Sequence, residues 1–120
     1  MISFEISKIF IKNLENIKDP RYIIIEDSAE NFEKHLKAIE IKKPICFFSS
    51  LPLDRWKKPA LNKLLTAISK EIAKDGIYIQ FAYSLNRHTA LIPFFKNIEV
   101  KFVLMNVPPA FVYICSNKTN

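Results

Sequence analysis

A chain of 120 residues has the length of one domain, because single cores are built from roughly 100 to 200 residues. Its 49% hydrophobic content, with ten Phe against one Gly, excludes a disordered or low-complexity polypeptide. The net charge of +6 is uneven: residues 1–40 hold 6 basic and 8 acidic groups, a balance of −2, and residues 41–120 hold 12 and 4, a balance of +8. An anionic partner, such as a lipid surface or RNA, is therefore expected to meet the second part. No apolar run approaches the about 18 residues of a membrane span, and no basic stretch followed by an apolar core opens the chain. A cytoplasmic protein is expected, peripheral at most at the inner face of the membrane.

Short apolar runs alternate with helical patterns, the signature of strands and helices taking turns in an α/β sheet. Ile2 to Ile6 reads as a strand, and Ile6, Ile9, Phe10, Leu14 and Ile17 then recur at helical spacing until Asp19-Pro20 stops them. Tyr22 to Ile25 is a second strand of the kind covered on both faces. Asp27 and Glu30 follow at capping-box spacing, before a helix with Phe32, Leu36 and Ile39 on one face. Pro44 to Phe48 is a third strand, and Ser49-Ser50-Leu51-Pro52 a loop at its carboxyl end.

Pro59 opens a helix whose stripe is Leu61, Leu64, Leu65, Ile68 and Ile72, with Gly76 placed as a C′ residue would be. Ile77 to Tyr83 is a fourth strand, and a short helical or irregular piece is expected near Leu91 to Phe95. Glu99 to Met105 and Ala110 to Cys115 are strands too close together for a parallel crossover, so they should pair antiparallel. Lys118 to Asn120 reads as a loose tail.

In open α/β sheets ligands bind beyond the carboxyl ends of the strands. Glu5 stands where an acid would accept ribose hydroxyls, although a solvated acid at a strand end would look the same. Asp27 could meet an adenine amino group, but the Asp27 to Glu30 spacing suits a helix N-cap equally well. Ser49, Ser50, Leu51 and Pro52 offer hydroxyls, carbonyls and a rigid turn, or merely a structural turn. His35 and His88 have no companion at a metal-ligand interval and read as surface residues, so no metal is expected. Cys46 and Cys115 each lie in an apolar run and read as buried, reduced thiols.

The whole pattern resembles the class I S-adenosylmethionine-dependent methyltransferases, and most closely the bacterial phospholipid N-methyltransferases that act on phosphatidylethanolamine. Ile2 to Ser7 resembles the family's second strand with its ribose-binding acid, which implies that role for Glu5. Glu26-Asp27-Ser28-Ala29 is similar to the Gly-Asp-Ala segment after the third strand, which implies Asp27 and Ser28 as cofactor contacts. Phe47 to Leu53 is similar to the Ser-Ser/Gly-Leu-Pro motif after the fourth strand. That motif implies Ser49, Ser50 and the Leu51-Pro52 backbone at the reacting amine, with Ser49 also near S-adenosylmethionine. Tyr78 to Tyr83 and Asn106 to Tyr113 resemble the fifth strand and the turn into the last one.

The resemblance implies an α/β fold: a truncated, Rossmann-like class I methyltransferase sheet, mostly parallel, with an antiparallel carboxyl-terminal hairpin. Residues 1–120 would form a single domain incomplete at its amino terminus, because the family's first strand and its Gly-rich loop have no counterpart here. That strand would be the central one, so its loss should expose two strand edges or force them to pair. The main functional reading is methylation of a phospholipid amine. Two others stand beside it: a non-catalytic remnant serving as an interaction module, and an RNA-directed methyltransferase. The RNA enzymes' motif is typically Asn-Leu-Pro-Tyr, whereas Leu53 occupies the stacking position here. An exposed sheet edge would also offer a route to a homo-oligomer.

Overall fold

The computed structural model describes residues 1–118. In chain order they form β1 (Ile2–Glu5), α1 (Lys8–Leu14), β2 (Ile23–Glu26), a 3-10 turn (Ala29–Asn31) running into α2 (Phe32–Ala38), and β3 (Cys46–Ser49). A second 3-10 turn (Leu53–Arg55), α3 (Lys58–Glu71), β4 (Ile77–Ala82), α4 (His88–Leu91), β5 (Asn97–Val103) and β6 (Ala110–Ser116) follow. Of the expected tail, the Lys118 carbonyl accepts a 2.9 Å hydrogen bond from Asn97, and residues 119 and 120 lie outside the described residues. Two compact units divide between Ile41 and Lys42, close to where the charge balance changes sign.

In the first unit β1 and β2 are parallel, from Ile2 opposite Ile23 to Glu5 opposite Glu26, with α1 as the crossover. Ile11 is the buried residue of α1, whereas Ile6, Ile9 and Phe10, expected on a core-facing stripe, are 73%, 74% and 59% exposed. Two strands and two short helices offer too little surface to cover that stripe. Of the predicted Phe32, Leu36 and Ile39 face of α2, Phe32 and Leu36 are buried, whereas the helix ends at Ala38 and Ile39, its C-cap, is exposed. The N-cap ahead of it is Ser28, whose hydroxyl accepts from the Glu30 N–H, and not Asp27.

The second unit is a four-stranded sheet of order β3-β4-β6-β5. β3 and β4 are parallel, and β6 runs antiparallel to both β4 and β5, as the short β5–β6 connection requires. In α3 the predicted stripe of Leu61, Leu64, Leu65 and Ile68 is buried, and Tyr78, Tyr113 and Cys115 are at most 2% exposed in the sheet. Burial pushes the Cys115 thiol up to about 12.

Cys46, expected to be buried, is exposed, because β3 is an edge strand and its outward face lies uncovered. Of the two outcomes foreseen for the strand edges, the structure shows separate sheets: β1 pairs with β2 and β3 with β4. Gly76 is not a C′ residue either, since α3 ends at Ile72 in extended backbone and no Gly has positive φ. Its reason is close approach: a Cβ there would lie 2.6 Å from the Ile72 side chain and 3.0 Å from the Ala73 and Ile45 carbonyls.

Candidate functional site

The parallel register sets Glu5 beside Glu26, so Glu5 and Asp27 share the carboxyl end of β1–β2. Glu5 Oε1 accepts from the N–H groups of Ile6 and Ser7 at 2.9 and 2.8 Å. This fixes the carboxylate at the strand end and leaves Oε2 without a partner among the described residues. Asp27 is fully engaged. Its Oδ1 accepts from Ser28 N–H at 2.7 Å and Asn31 Nδ2 at 2.9 Å, and its Oδ2 lies 2.7 Å from His35 Nε2 and 3.7 Å from Lys34 Nζ. The hydrogen bond to His35, then those from Asn31 and Ser28, hold the Asp27 carboxyl far below the usual carboxylate range. His35, read from sequence as a free surface residue, is half-buried in this network with its ring edge-on to Phe4.

Ser49, Ser50, Leu51 and Pro52 belong to the second unit. Ser49 closes β3, and its hydroxyl accepts from Leu51 N–H at 3.2 Å, turning the chain out of the sheet. The following loop is held from β4 and the segment after it. Gln80, 1% exposed, donates from Nε2 to the Leu51 carbonyl at 2.9 Å and to the Phe81 carbonyl at 2.8 Å, and accepts from the Tyr78 hydroxyl. Arg87 donates to the carbonyls of Leu53, Asp54 and Trp56 at 3.0–3.2 Å. Ser84 donates to Asp54 Oδ2 at 2.7 Å.

Between these loops lies a pocket of about 380 Å³ lined by Ser50 to Arg55, Gln80 to Ser84, Arg87, Leu91 and Tyr113. The Ser50 hydroxyl and the Arg55 guanidinium carry no hydrogen bond among the described residues. Tyr113 donates a long hydrogen bond to the Ser84 carbonyl. Burial first, then the Asp54 carboxylate, keeps its phenol above its usual range, so it is a neutral aromatic wall at physiological pH.

Ser50, Leu51 and Pro52 line this pocket and Ser49 does not, whereas Glu5, Asp27 and Ser28 belong to the other unit. Tyr83 and Ser84 were legible as positions at a strand's carboxyl end, whereas Gln80, Arg87 and Tyr113 received no role from the sequence. Gln80 was legible only as a polar residue inside a strand, and its partner at Leu51 is 29 residues away. Among the described residues no group of three or more His, Cys, Asp or Glu is placed to hold a metal. No described helix is long and apolar enough to cross a membrane.

No family model and no curated protein matches the chain. Solved structures do. An rRNA methylase from Streptococcus thermophilus matches with a TM-score of 0.68 at 12% identity, over 96% of this chain and 72% of that one. Precorrin-6y C5,15-methyltransferase from Geobacter metallireducens matches at 0.69 and 14%, over 98% and 66%. A Streptococcus mutans protein solved in complex with SAH matches at 0.57 and 14%, over 95% and 69%. At these identities the likeness shows the fold: the chain has the α/β, Rossmann-like methyltransferase fold. It spans between 66% and 72% of the length of these three neighbours.

Proposed function

We propose that the chain acts as an S-adenosylmethionine-dependent methyltransferase whose acceptor is a phospholipid amine. The observation that carries the reading is the pocket of Ser50 to Arg55 and Tyr83-Ser84, beyond the carboxyl ends of two parallel strands in a fold shared with methyltransferases. S-adenosylmethionine, when bound, supplies an electrophilic methyl group. Glu5 suits its ribose through the unpartnered Oε2. Asp27 with Ser28 would face its adenine only by giving up a local partner, and no Gly-rich loop is present, so the fit is partial.

The pocket's chemistry favours an aminoalkyl phosphate group. Tyr83 and Tyr113 line the pocket with aromatic rings and Asp54 with a carboxylate, groups that suit an ammonium or its methylated forms. Arg55 suits a phosphodiester. Ser50 Oγ is the hydroxyl of the motif free to accept from the neutral amine, while Ser49 shapes the turn that carries the Leu51-Pro52 backbone. The amine would react as its free base, after its ammonium proton has passed to water, and catalysis would be positioning and desolvation of that neutral amine; none of these residues is a convincing general base. The rRNA methylase neighbour and the +8 balance favour RNA as the second reading.

Calorimetry of the 120-residue chain with S-adenosylmethionine is the direct test. Saturation at ~100 times Kd should stabilise the fold by roughly 2.7 kcal/mol, and Glu5→Ala should abolish binding. Label from the methyl-tritiated cofactor should then enter phosphatidylethanolamine and not RNA. The opposite outcome transfers the reading to RNA, and no cofactor heat leaves the interaction module.

A further inference from the structure

We propose that the tip of the β5–β6 hairpin, Phe102 to Val107, is an insertion point through which the chain docks on an anionic lipid bilayer. Phe102, Leu104, Met105 and Val107 are 55%, 68%, 92% and 95% exposed, a continuous apolar projection of a kind that soluble surfaces rarely carry without a use. Phe102 packs on Phe111, with ring centroids 5.1 Å apart, and so braces the base of the tip.

The register decides which way the tip faces. Val103 lies opposite Ala110, and Phe111 opposite Ala82 at the end of β4. The turn therefore projects from the carboxyl end of β3 and β4, the end that bears the pocket. Arg55, Lys57 and Lys58, all exposed, follow β3 at this same end.

A lipid surface fits better than the other occupants. From Phe102 to Asn117 the chain carries no charged side chain, so a polyphosphate finds no partner at the tip itself. Apolar side chains that enter the acyl boundary, with cations at headgroup level, are the interfacial pattern. Exposed backbone donors would be costly there; Pro108 and Pro109 have none, and Asn106 turns its side-chain amide onto the Pro108 carbonyl at 2.7 Å. The docking would set the pocket's mouth toward the lipid, and that consequence rests on the phospholipid reading above. The docking itself is read without catalysis.

The test is co-sedimentation of the full chain with phosphatidylcholine vesicles, with and without phosphatidylglycerol. The expected result is binding that needs the anionic lipid, falls with salt, and weakens roughly tenfold or more in M105D/V107D. Ile45→Asp, at an apolar site that is also exposed but lies at the amino end of β3, should bind as wild type. As a second measurement, the M105W substitution in a W56F background leaves one indole in the chain, at the tip, and its fluorescence should be quenched by brominated acyl chains.

Unchanged binding in M105D/V107D, or an unquenched indole in vesicle-bound W56F/M105W, overturns the proposal. So does a wild-type dimer that M105D/V107D converts to monomer without any vesicle binding, which would make the tip a contact between copies. Loss of RNA binding in that variant overturns it equally. Vesicle binding without cofactor binding would defeat the methyltransferase reading alone, and the converse would defeat the docking alone.

Discussion

Gln80→Leu is the substitution that best separates the architecture of the pocket from its chemistry. The wild-type amide joins three groups: the Tyr78 hydroxyl, the Leu51 carbonyl and the Phe81 carbonyl. A leucine fills similar volume and leaves all three without that partner. An unsatisfied buried polar group costs about 1–3 kcal/mol. The full sum does not apply, because the Leu51 carbonyl borders the pocket, where water can reach it. The expected loss is therefore about 2–3 kcal/mol, or a fall in Tm of about 8–12 °C for a chain of this size.

Circular dichroism melts give the number, and a double-mutant cycle gives its origin. Tyr78→Phe should cost about 1 kcal/mol less in the Gln80→Leu background than in wild type, since the shared hydrogen bond is already gone. A Gln80→Leu protein within about 0.5 kcal/mol of wild type would refute the reasoning. It would mean that the loop after β3 is held without this amide.

Other consequences follow from single observations. Asp27 is held ionised below the usual carboxylate range, so its contribution to stability is lost as pH falls below about 5; the stability difference between wild type and Asp27→Asn should shrink in acid, and a difference that grows there would refute the assignment. Gly76→Ala should destabilise by about 1–3 kcal/mol in a denaturant titration, because the nearest obstacles include two backbone carbonyls that cannot rotate aside. Cys46 should react with an aromatic disulfide reagent in the native protein, while Cys115, buried with its thiol pushed up to about 12, should react only on unfolding.

Much of the fold was legible because β-branched and aromatic runs and one strong helical stripe name their own elements. Ile23 to Ile25 and Ile77 to Phe81 are rich in the β-branched and aromatic residues that suit a pleated, covered strand, and Leu61 to Ile72 has one face to bury. The antiparallel pairing of β5 and β6 followed from the reach of a short connection. The failures share a different cause, since Cys46, Ile9 and Phe10 look like core residues by composition, and whether they are covered depends on what neighbours the strand or helix acquires. At the site, Ser50, Leu51 and Pro52 were visible as a motif. Gln80 and Arg87, which hold that motif in place, act on carbonyls 29 to 34 residues away, and carbonyls leave no mark in a sequence.

The Arg87 contacts bear on redesign. One planar guanidinium satisfies three carbonyls spread over Leu53 to Trp56, a geometry that a lysine ammonium cannot reproduce. The segments after β3 and β4 therefore form one exchangeable module. Grafting a relative's post-β3 loop alone would bring a new carbonyl spacing to an unchanged fork, so a transplant meant to reshape the pocket should carry residues 49–57 and 80–88 together.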